Sequence, residues 1–127
     1  MNERELKFRV HTHIDKAFIY FDIYDYPSGI AMGVSAPQQY IGIKDSRGVD
    51  MYEGDIVDYK NGVGEIIYSP FLLGFVIDAN GRAAFDDKHG LYVSIHYDNR
   101  ETYTVIGNVI QNKELLKSWK NYYLHYY

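Results

Sequence analysis

The residues best placed to do chemistry are two histidines and an aspartate near the N-terminus, in the sequence His11-Thr12-His13-Ile14-Asp15. Side chains two residues apart on an extended backbone point to the same side, and imidazoles with a carboxylate can ligate a transition metal. The alternative is a solvated loop that follows a strand. Short motif matches without structural context carry a high false-positive risk. The sequence therefore favours the loop, with no metal and no other cofactor.

The same spacing superficially resembles the His-x-His-x-Asp-His motif of the metallo-β-lactamase family. Lys16 occupies the position of the last histidine, and a chain of 127 residues is too short for that αββα fold. Further histidine ligands would have to come from His89, His96 or His125. A metal-dependent enzyme that uses His11 and His13 is thus the least favoured of the functions considered.

Acidic residues gather at Asp86-Asp87 and among Asp50, Glu53 and Asp55. Acid–base catalysis by two carboxyl groups requires them to face each other across a cleft, with a raised pKa on one of them. Carboxylates in loops beside glycine more often cap turns, and we interpret these residues in that way. The chain also lacks a glycine-rich phosphate loop and a serine nucleophile elbow, so the sequence does not predict an enzyme.

Composition limits the partners and the compartment. The chain has 17 acidic and 13 basic residues, a net charge of -4 and no Cys. Sequence-independent affinity for nucleic acid comes from neutralised phosphates, so it is disfavoured, although Tyr92, Tyr97 and Tyr103 lie near His96 and Arg100 and could stack on bases. No apolar run approaches the roughly 20 residues of a spanning helix. We expect a soluble intracellular protein without a membrane partner.

Residues 40–57 are the segment around which the other elements are organised. The pattern predicts a strand, a turn at 45–48, a short extended piece, a turn at 53–54 and a strand that enters the core. Its glycines are expected where the backbone needs positive φ or close approach, and its aspartates are expected to cap turns. With two residues from the last strand, the predicted structural motif comprises Tyr40, Gly42, Asp45, Gly48, Tyr52, Glu53, Gly54, Asp55, Gly107 and Asn108.

Alternation elsewhere predicts further short strands. Residues 5–10 form a half-buried strand with its apolar residues inside and Lys7 and Arg9 on the opposite face, and residues 17–23 pair with it. A short apolar piece follows at 30–34. The other predicted strands are 55–60 and 63–68 around Asn61-Gly62, both with positive φ; 73–77 and 82–85 around a turn at 78–81; 91–97; and 103–110, which a bulge or a kink interrupts at 107–108. The 14 Tyr and 6 Phe favour strands as well. Many short strands between turn signals indicate an all-β fold with a small barrel.

The C-terminal residues predict a short helix. Asn112 suits an N-cap, and large side chains then follow at helical spacing. Either this helix packs down as a lid, or its aromatic face meets another subunit or protein. The candidate interface consists of Trp119, Tyr122, Tyr123 and Tyr126.

Three segments in the same order resemble the YopX family of phage and prophage proteins. Residues 4–10 are the first. Residues 39–57 follow the family pattern Y-T-G-L-K-D-K-N-G … I-Y-E-G-D-I-V, and residues 105–116 resemble V-I-G-N-I-Y-E-N-P-E-L-L. Two positions depart from the pattern: His11 stands where the family usually has an aromatic residue, and Lys113 stands in place of a proline.

The resemblance implies a small, β-rich phage-encoded protein of the bacterial cytoplasm, without an established activity. We expect one domain: N-terminal strands over 1–38, an SH3-like barrel over 39–111 and the helix over 112–127. The favoured function is a non-catalytic interaction module that binds a host or phage protein or self-associates. A nucleic-acid-binding barrel is the alternative.

Overall fold

The computed structural model describes residues 5–25, 34–79 and 92–116. These ranges contain nine strands and one 3₁₀ helix, and a helical turn begins at Glu114. The elements are β1 (Lys7–Thr12), β2 (Ala17–Asp22), β3 (Gln38–Lys44), β4 (Asp50–Tyr52), β5 (Asp55–Asp58), β6 (Val63–Ser69), β7 (Gly74–Asp78), β8 (Tyr92–Ser94), the 3₁₀ helix (Tyr97–Thr102) and β9 (Thr104–Asn108).

The strands form two antiparallel sheets, so the all-β prediction is confirmed. One sheet has the order β2-β1-β3-β4, and the other has the order β8-β7-β6-β5-β9. One of the two sheets curls into a half-barrel. The predicted pairing of the N-terminal strands is present, with Lys7 opposite Asp22 and Thr12 opposite Ala17. β1 also pairs with β3, so the N-terminal hairpin extends the sheet that the central segment begins.

The prediction for residues 40–57 is confirmed element by element. Asp45 accepts the N–H groups of Arg47 and Val49 through Oδ1, at 2.9 and 2.8 Å, and its Oδ2 accepts the N–H of Val105 at 2.9 Å. One buried carboxylate thereby closes a turn and fastens β9 to it. Gly42, Gly48 and Gly54 have φ of 101°, 79° and 87°.

The hairpin between β5 and β6 forms, but the predicted positive φ at Asn61 and Gly62 is wrong. The N–H of Tyr59 donates to the Gly62 carbonyl at 3.0 Å, and Lys60 has the positive φ, 75°. The carboxylate of Asp58 accepts the Lys60 N–H at 2.8 Å. The register pairs Asp58 with Val63, so the tip of the turn is Lys60-Asn61, one residue earlier than predicted.

The main apolar core lies under the central strands. It is built from Met51, Val57, Ile66, Ile77 and Tyr103. The register between β5 and β9 shifts between Ile56, opposite Gly107, and Val57, opposite Val105. The extra residue lies next to the predicted interruption at 107–108, so the bulge is confirmed. A bulge of this kind bends its strand.

Two other predictions differ from the structure. Arg9, expected on the outer face of the first strand, is buried, as is Val10 on the opposite face. The strand predicted over residues 91–97 is shorter, because Tyr97 begins the 3₁₀ helix. β1 is covered on both faces, and alternation within one strand cannot reveal a second sheet packed against it.

Several predicted features lie outside the described residues. They are strand 82–85, Asp86-Asp87, most of the apolar piece 30–34, the helix beyond residue 116 and the interface residues Trp119, Tyr122, Tyr123 and Tyr126. In the parts of the chain that the structure describes, no helix is both long and apolar enough to cross a membrane.

Candidate functional site: a charged cleft and an apolar loop

The histidine pair lies at the end of β1. His11 belongs to the strand and is buried, whereas His13 is exposed in the following turn, so the prediction of a solvated loop is wrong for His11. Their ring centroids are 6.0 Å apart, and the His11 ring meets the edge of Phe18 at 5.1 Å. Neither ring nitrogen of His11 has a hydrogen-bond partner among the described residues. Within those residues no three His, Cys, Asp or Glu side chains come together as a metal site.

Arg9 and Asp55 form a buried ion pair between the two sheets. Nη2 of Arg9 lies 2.7 Å from Oδ1 of Asp55, and the two side chains are 5% and 3% exposed. Nε of Arg9 donates to Oε1 of Gln38 at 2.8 Å. The guanidinium also lies 4.3 Å from the ring centroid of Phe18 and 4.8 Å from that of Tyr52. Two rings and two oxygens therefore hold Arg9 in one position.

Asp55 keeps the turn-capping role predicted for it, because its Oδ2 accepts the N–H of Tyr52 at 2.8 Å. Burial raises the pKa of this carboxyl group, while the charge of Arg9 and the Tyr52 N–H act in the opposite direction. The Tyr52 side chain is buried, and this raises the pKa of its phenol. Ionisable side chains with shifted pKa values, gathered in a cleft, are a recognised property of functional sites.

A second ion pair lies closer to the surface. Nζ of Lys7 lies 2.8 Å from Oδ2 of Asp50, and Lys44 binds the other carboxylate oxygen. Burial opposes ionisation of Asp50, but the hydrogen bonds from Lys44 and Lys7 lower its pKa. The hydrogen bond with Asp50 in turn raises the pKa of Lys7, whose Nζ lies 4.4 Å from the ring centroid of Tyr40.

These pairs line an open cavity of about 590 Å³, which we call the charged cleft. Asn108 and Gln111 also line it, and Nδ2 of Asn108 donates to Oε1 of Gln111 at 3.0 Å. The cleft therefore brings four predicted motif residues together, namely Tyr52, Asp55, Gly107 and Asn108. Its complete lining is Lys7, Arg9, Phe18, Tyr20, Val49, Asp50, Tyr52, Asp55, Val105, Gly107, Asn108 and Gln111.

The other motif residues lie outside the cleft lining. Tyr40 is buried beneath Lys7. Glu53 accepts the N–H of Gln39 at 2.9 Å through Oε1 and so fastens the second turn to β3. Of the tyrosines considered for stacking, Tyr103 is buried, and its hydroxyl accepts the N–H of His96 at 3.1 Å. Tyr97 is exposed beneath the guanidinium of Arg100, 4.2 Å from its ring centroid.

A different kind of surface lies between β6 and β7. Phe71, Leu72 and Leu73 are 87%, 58% and 79% exposed, and we call these three residues the apolar loop. Oγ of Ser69 accepts the Leu72 N–H at 3.2 Å. Leu73 has a φ of 54°, in a region that costs a non-glycine residue free energy. The sequence prediction assigned Leu73 to a strand and missed this surface, whose signal is a run of large apolar residues directly after Pro70.

Comparison with known proteins places the chain in a family. The family model described as YopX protein matches residues 5–117, which is nearly the whole chain. The chain belongs to the YopX family. The resemblance carried by the three sequence segments is thus confirmed, and both the charged cleft and the apolar loop lie within the matched region.

A solved structure supports the fold of this YopX-family chain. The crystal structure of protein EF1440 from Enterococcus faecalis is similar with a TM-score of 0.55 and 19% sequence identity, over 90% of this chain and 99% of that chain. At this identity the similarity concerns the fold alone. No curated protein matches the chain.

Proposed function

We propose that this YopX-family protein is a phage- or prophage-encoded, non-catalytic interaction module of the bacterial cytoplasm. It binds a partner protein through the apolar loop. The observation that carries the proposal is the exposure of Phe71, Leu72 and Leu73 in succession. Runs of exposed apolar residues lower solubility unless they serve binding, and large apolar side chains are the usual anchors of protein interfaces.

The loop is held in position by the strands on either side of it. Ser69 is buried at the end of β6 and accepts a hydrogen bond from Leu72. Tyr68 and Phe75 lie opposite each other in the hairpin, with ring centroids 5.6 Å apart. A loop fixed on a hairpin loses less conformational entropy on binding than a free segment.

The apolar loop, with the paired cations of the charged cleft, fits contact with a protein better than contact with nucleic acid. Lys7, Arg9 and Lys44 are all paired with carboxylates. The guanidinium of Arg47 lies 4.0 Å from Asp45 and donates to the Val105 carbonyl at 2.7 Å. Cations that already have partners release fewer counterions from a nucleic-acid backbone. Apolar side chains contribute no phosphate contact.

Site-specific photo-crosslinking tests the proposal. The photoreactive residue p-benzoylphenylalanine replaces Phe71 in the full chain, which is expressed in the bacterial host. A matched control carries it at Ile14, which is 77% exposed in the β1–β2 turn. We expect one protein to crosslink at position 71 and not at position 14.

The affinity of the complex is then measured with this chain and the crosslinked partner protein, both purified. Leu73→Asp should weaken the complex by at least about tenfold, since a central apolar contact of an interface is lost, and Ile14→Asp should leave it unchanged. Equal crosslinking at both positions, or an affinity insensitive to Leu73→Asp, contradicts the proposal. A crosslink between two copies of this chain, with a dimer in analytical ultracentrifugation that depends on the apolar loop, would show that the loop mediates self-association and not the binding of another protein.

A further inference from the structure

We infer that the charged cleft binds a small aromatic carboxylate, at a site separate from the apolar loop. The cavity of about 590 Å³ falls within the range of about 300–1,000 Å³ typical of small-molecule sites. It combines aromatic walls with a few convergent polar groups, as such sites do. None of its lining residues belongs to the apolar loop, so the two surfaces can be tested independently.

The polar recognition group is the guanidinium of Arg9. Its Nε and Nη2 are occupied by Gln38 and Asp55, whereas Nη1 makes no hydrogen bond to a described residue. Arg9 lines the cavity although its side chain is only 5% exposed, and we assign Nη1, the nitrogen without a described partner, to the cleft.

This donor is fixed before a ligand arrives. The guanidinium contacts the rings of Phe18 and Tyr52, and Asp55 is itself held by the Tyr52 N–H. A donor that needs no rearrangement binds an acceptor at low entropic cost. A carboxylate is the acceptor that forms the stronger, charge-assisted bond with a guanidinium N–H.

The ion pairs around Arg9 decide which charge the ligand carries. Arg9 is balanced by Asp55 and Lys7 by Asp50, so the four residues carry no net charge. The carboxylate is therefore assigned to Nη1 of Arg9, which has no partner among the described residues, and not to the ammonium of Lys7, which already binds Asp50. A cation would have to compete with Lys7, Lys44 and Arg9 for carboxylates that already have partners.

The aromatic part of the ligand is assigned to Tyr20. This residue lines the cleft, is 59% exposed and meets the Tyr52 ring at 5.6 Å in a T-shaped arrangement. The exposed ring offers a stacking surface beside the donors. Val49 and Val105 supply the apolar lining.

An NMR titration of the full chain with sodium benzoate tests the inference. Saturable shifts are expected at the side-chain NH signals of Arg9 and at the ring signals of Tyr20 and Tyr52. Benzamidine has the same ring with a cationic group, and it should produce no saturable shift at Arg9. Absence of a benzoate response at Arg9, or an equal response to benzamidine, overturns the inference.

Two exposed tyrosines supply a matched pair of variants that both keep the core intact. Tyr20→Ala removes the stacking ring and should weaken benzoate binding about fivefold, in line with the free energy of one aromatic contact. Tyr97→Ala removes a ring that is 62% exposed outside the cleft, and it should leave benzoate binding unchanged. Equal effects of the two variants would overturn the assignment of Tyr20.

Discussion

The charged cleft and the apolar loop depart from the usual distribution of residues in opposite directions. In the cleft, Arg9 and Asp55 are charged and almost fully buried, with a partner for each charge. In the loop, Phe71, Leu72 and Leu73 are apolar and exposed. Buried charges and exposed apolar runs are the informative exceptions to hydrophobic burial. Because both arrangements are unusual, we propose a separate function for each.

The two regions also differ in how they are held. The cleft is fixed by contacts between residues far apart in the chain, such as Arg9 with Asp55 and Lys7 with Asp50. The loop depends on its own hairpin, through Ser69 and the backbone of Leu73. Substitutions in the cleft should thus change global stability, while substitutions in the loop should change binding with little effect on the core.

The largest expected effect is in the cleft. Arg9→Met leaves the Asp55 carboxylate buried without its partner and should lower the free energy of unfolding by about 3–5 kcal/mol. The double variant Arg9→Met/Asp55→Asn removes both charges and keeps an acceptor for the Tyr52 N–H, so it should recover most of that loss. Urea denaturation measures both. A double variant as unstable as the single one would contradict a penalty from the unpaired charge.

A smaller effect, of the opposite sign, is expected in the loop. Leu73→Gly removes a side chain from a residue with a φ of 54° and should raise the free energy of unfolding by about 1 kcal/mol. Lys16→Gly is the matched control, because Lys16 has a φ of 53° in the β1–β2 turn. Both variants should be stabilised, but only Leu73→Gly should weaken the partner complex. If both variants bind the partner protein equally well, the apolar loop does not mediate that binding.

The smallest expected effect is at the rim of the cleft and depends on pH. The pKa of Asp50 is lowered in the folded protein, so its ion pairs stabilise the fold above the unfolded-state pKa of about 3.9. This contribution is lost as the pH falls through the lower, folded-state pKa. Because the pair is partly exposed, Asp50→Asn should cost less than about 1 kcal/mol at pH 7. Chemical denaturation should show the difference from wild type disappearing below about pH 4; a difference independent of pH would contradict the prediction.

Much of the fold was predictable because its signals are local. Turn glycines and capping aspartates marked residues 40–57, and Gly107-Asn108 marked the bulge in β9. A positive φ at Gly48 or a carboxylate that accepts the next N–H groups depends on neighbours within a few residues. The error at Asn61-Gly62 was also local, because the bond between Asp58 and Lys60 moved the turn by one residue.

The candidate sites were less predictable because they depend on what packs against each strand. Alternation placed Arg9 outside, since a single strand gives no sign that a second sheet covers its polar face. The same reasoning placed His11 in a solvated loop, whereas Phe18 of the neighbouring strand covers it. The apolar loop had a visible signal after Pro70, but only its measured exposure distinguishes a surface from the start of a buried strand.

By itself the sequence determined the family, the all-β class, the central turns and the pairing of the first two strands. The tertiary structure decided that Arg9 meets Asp55 across 46 positions of the chain, and that three apolar residues of one hairpin remain in water. The physical reason is the range of the interactions. Turn conformation and capping are settled between near neighbours, whereas the burial of a charge or the exposure of an apolar side chain is settled only when distant strands pack.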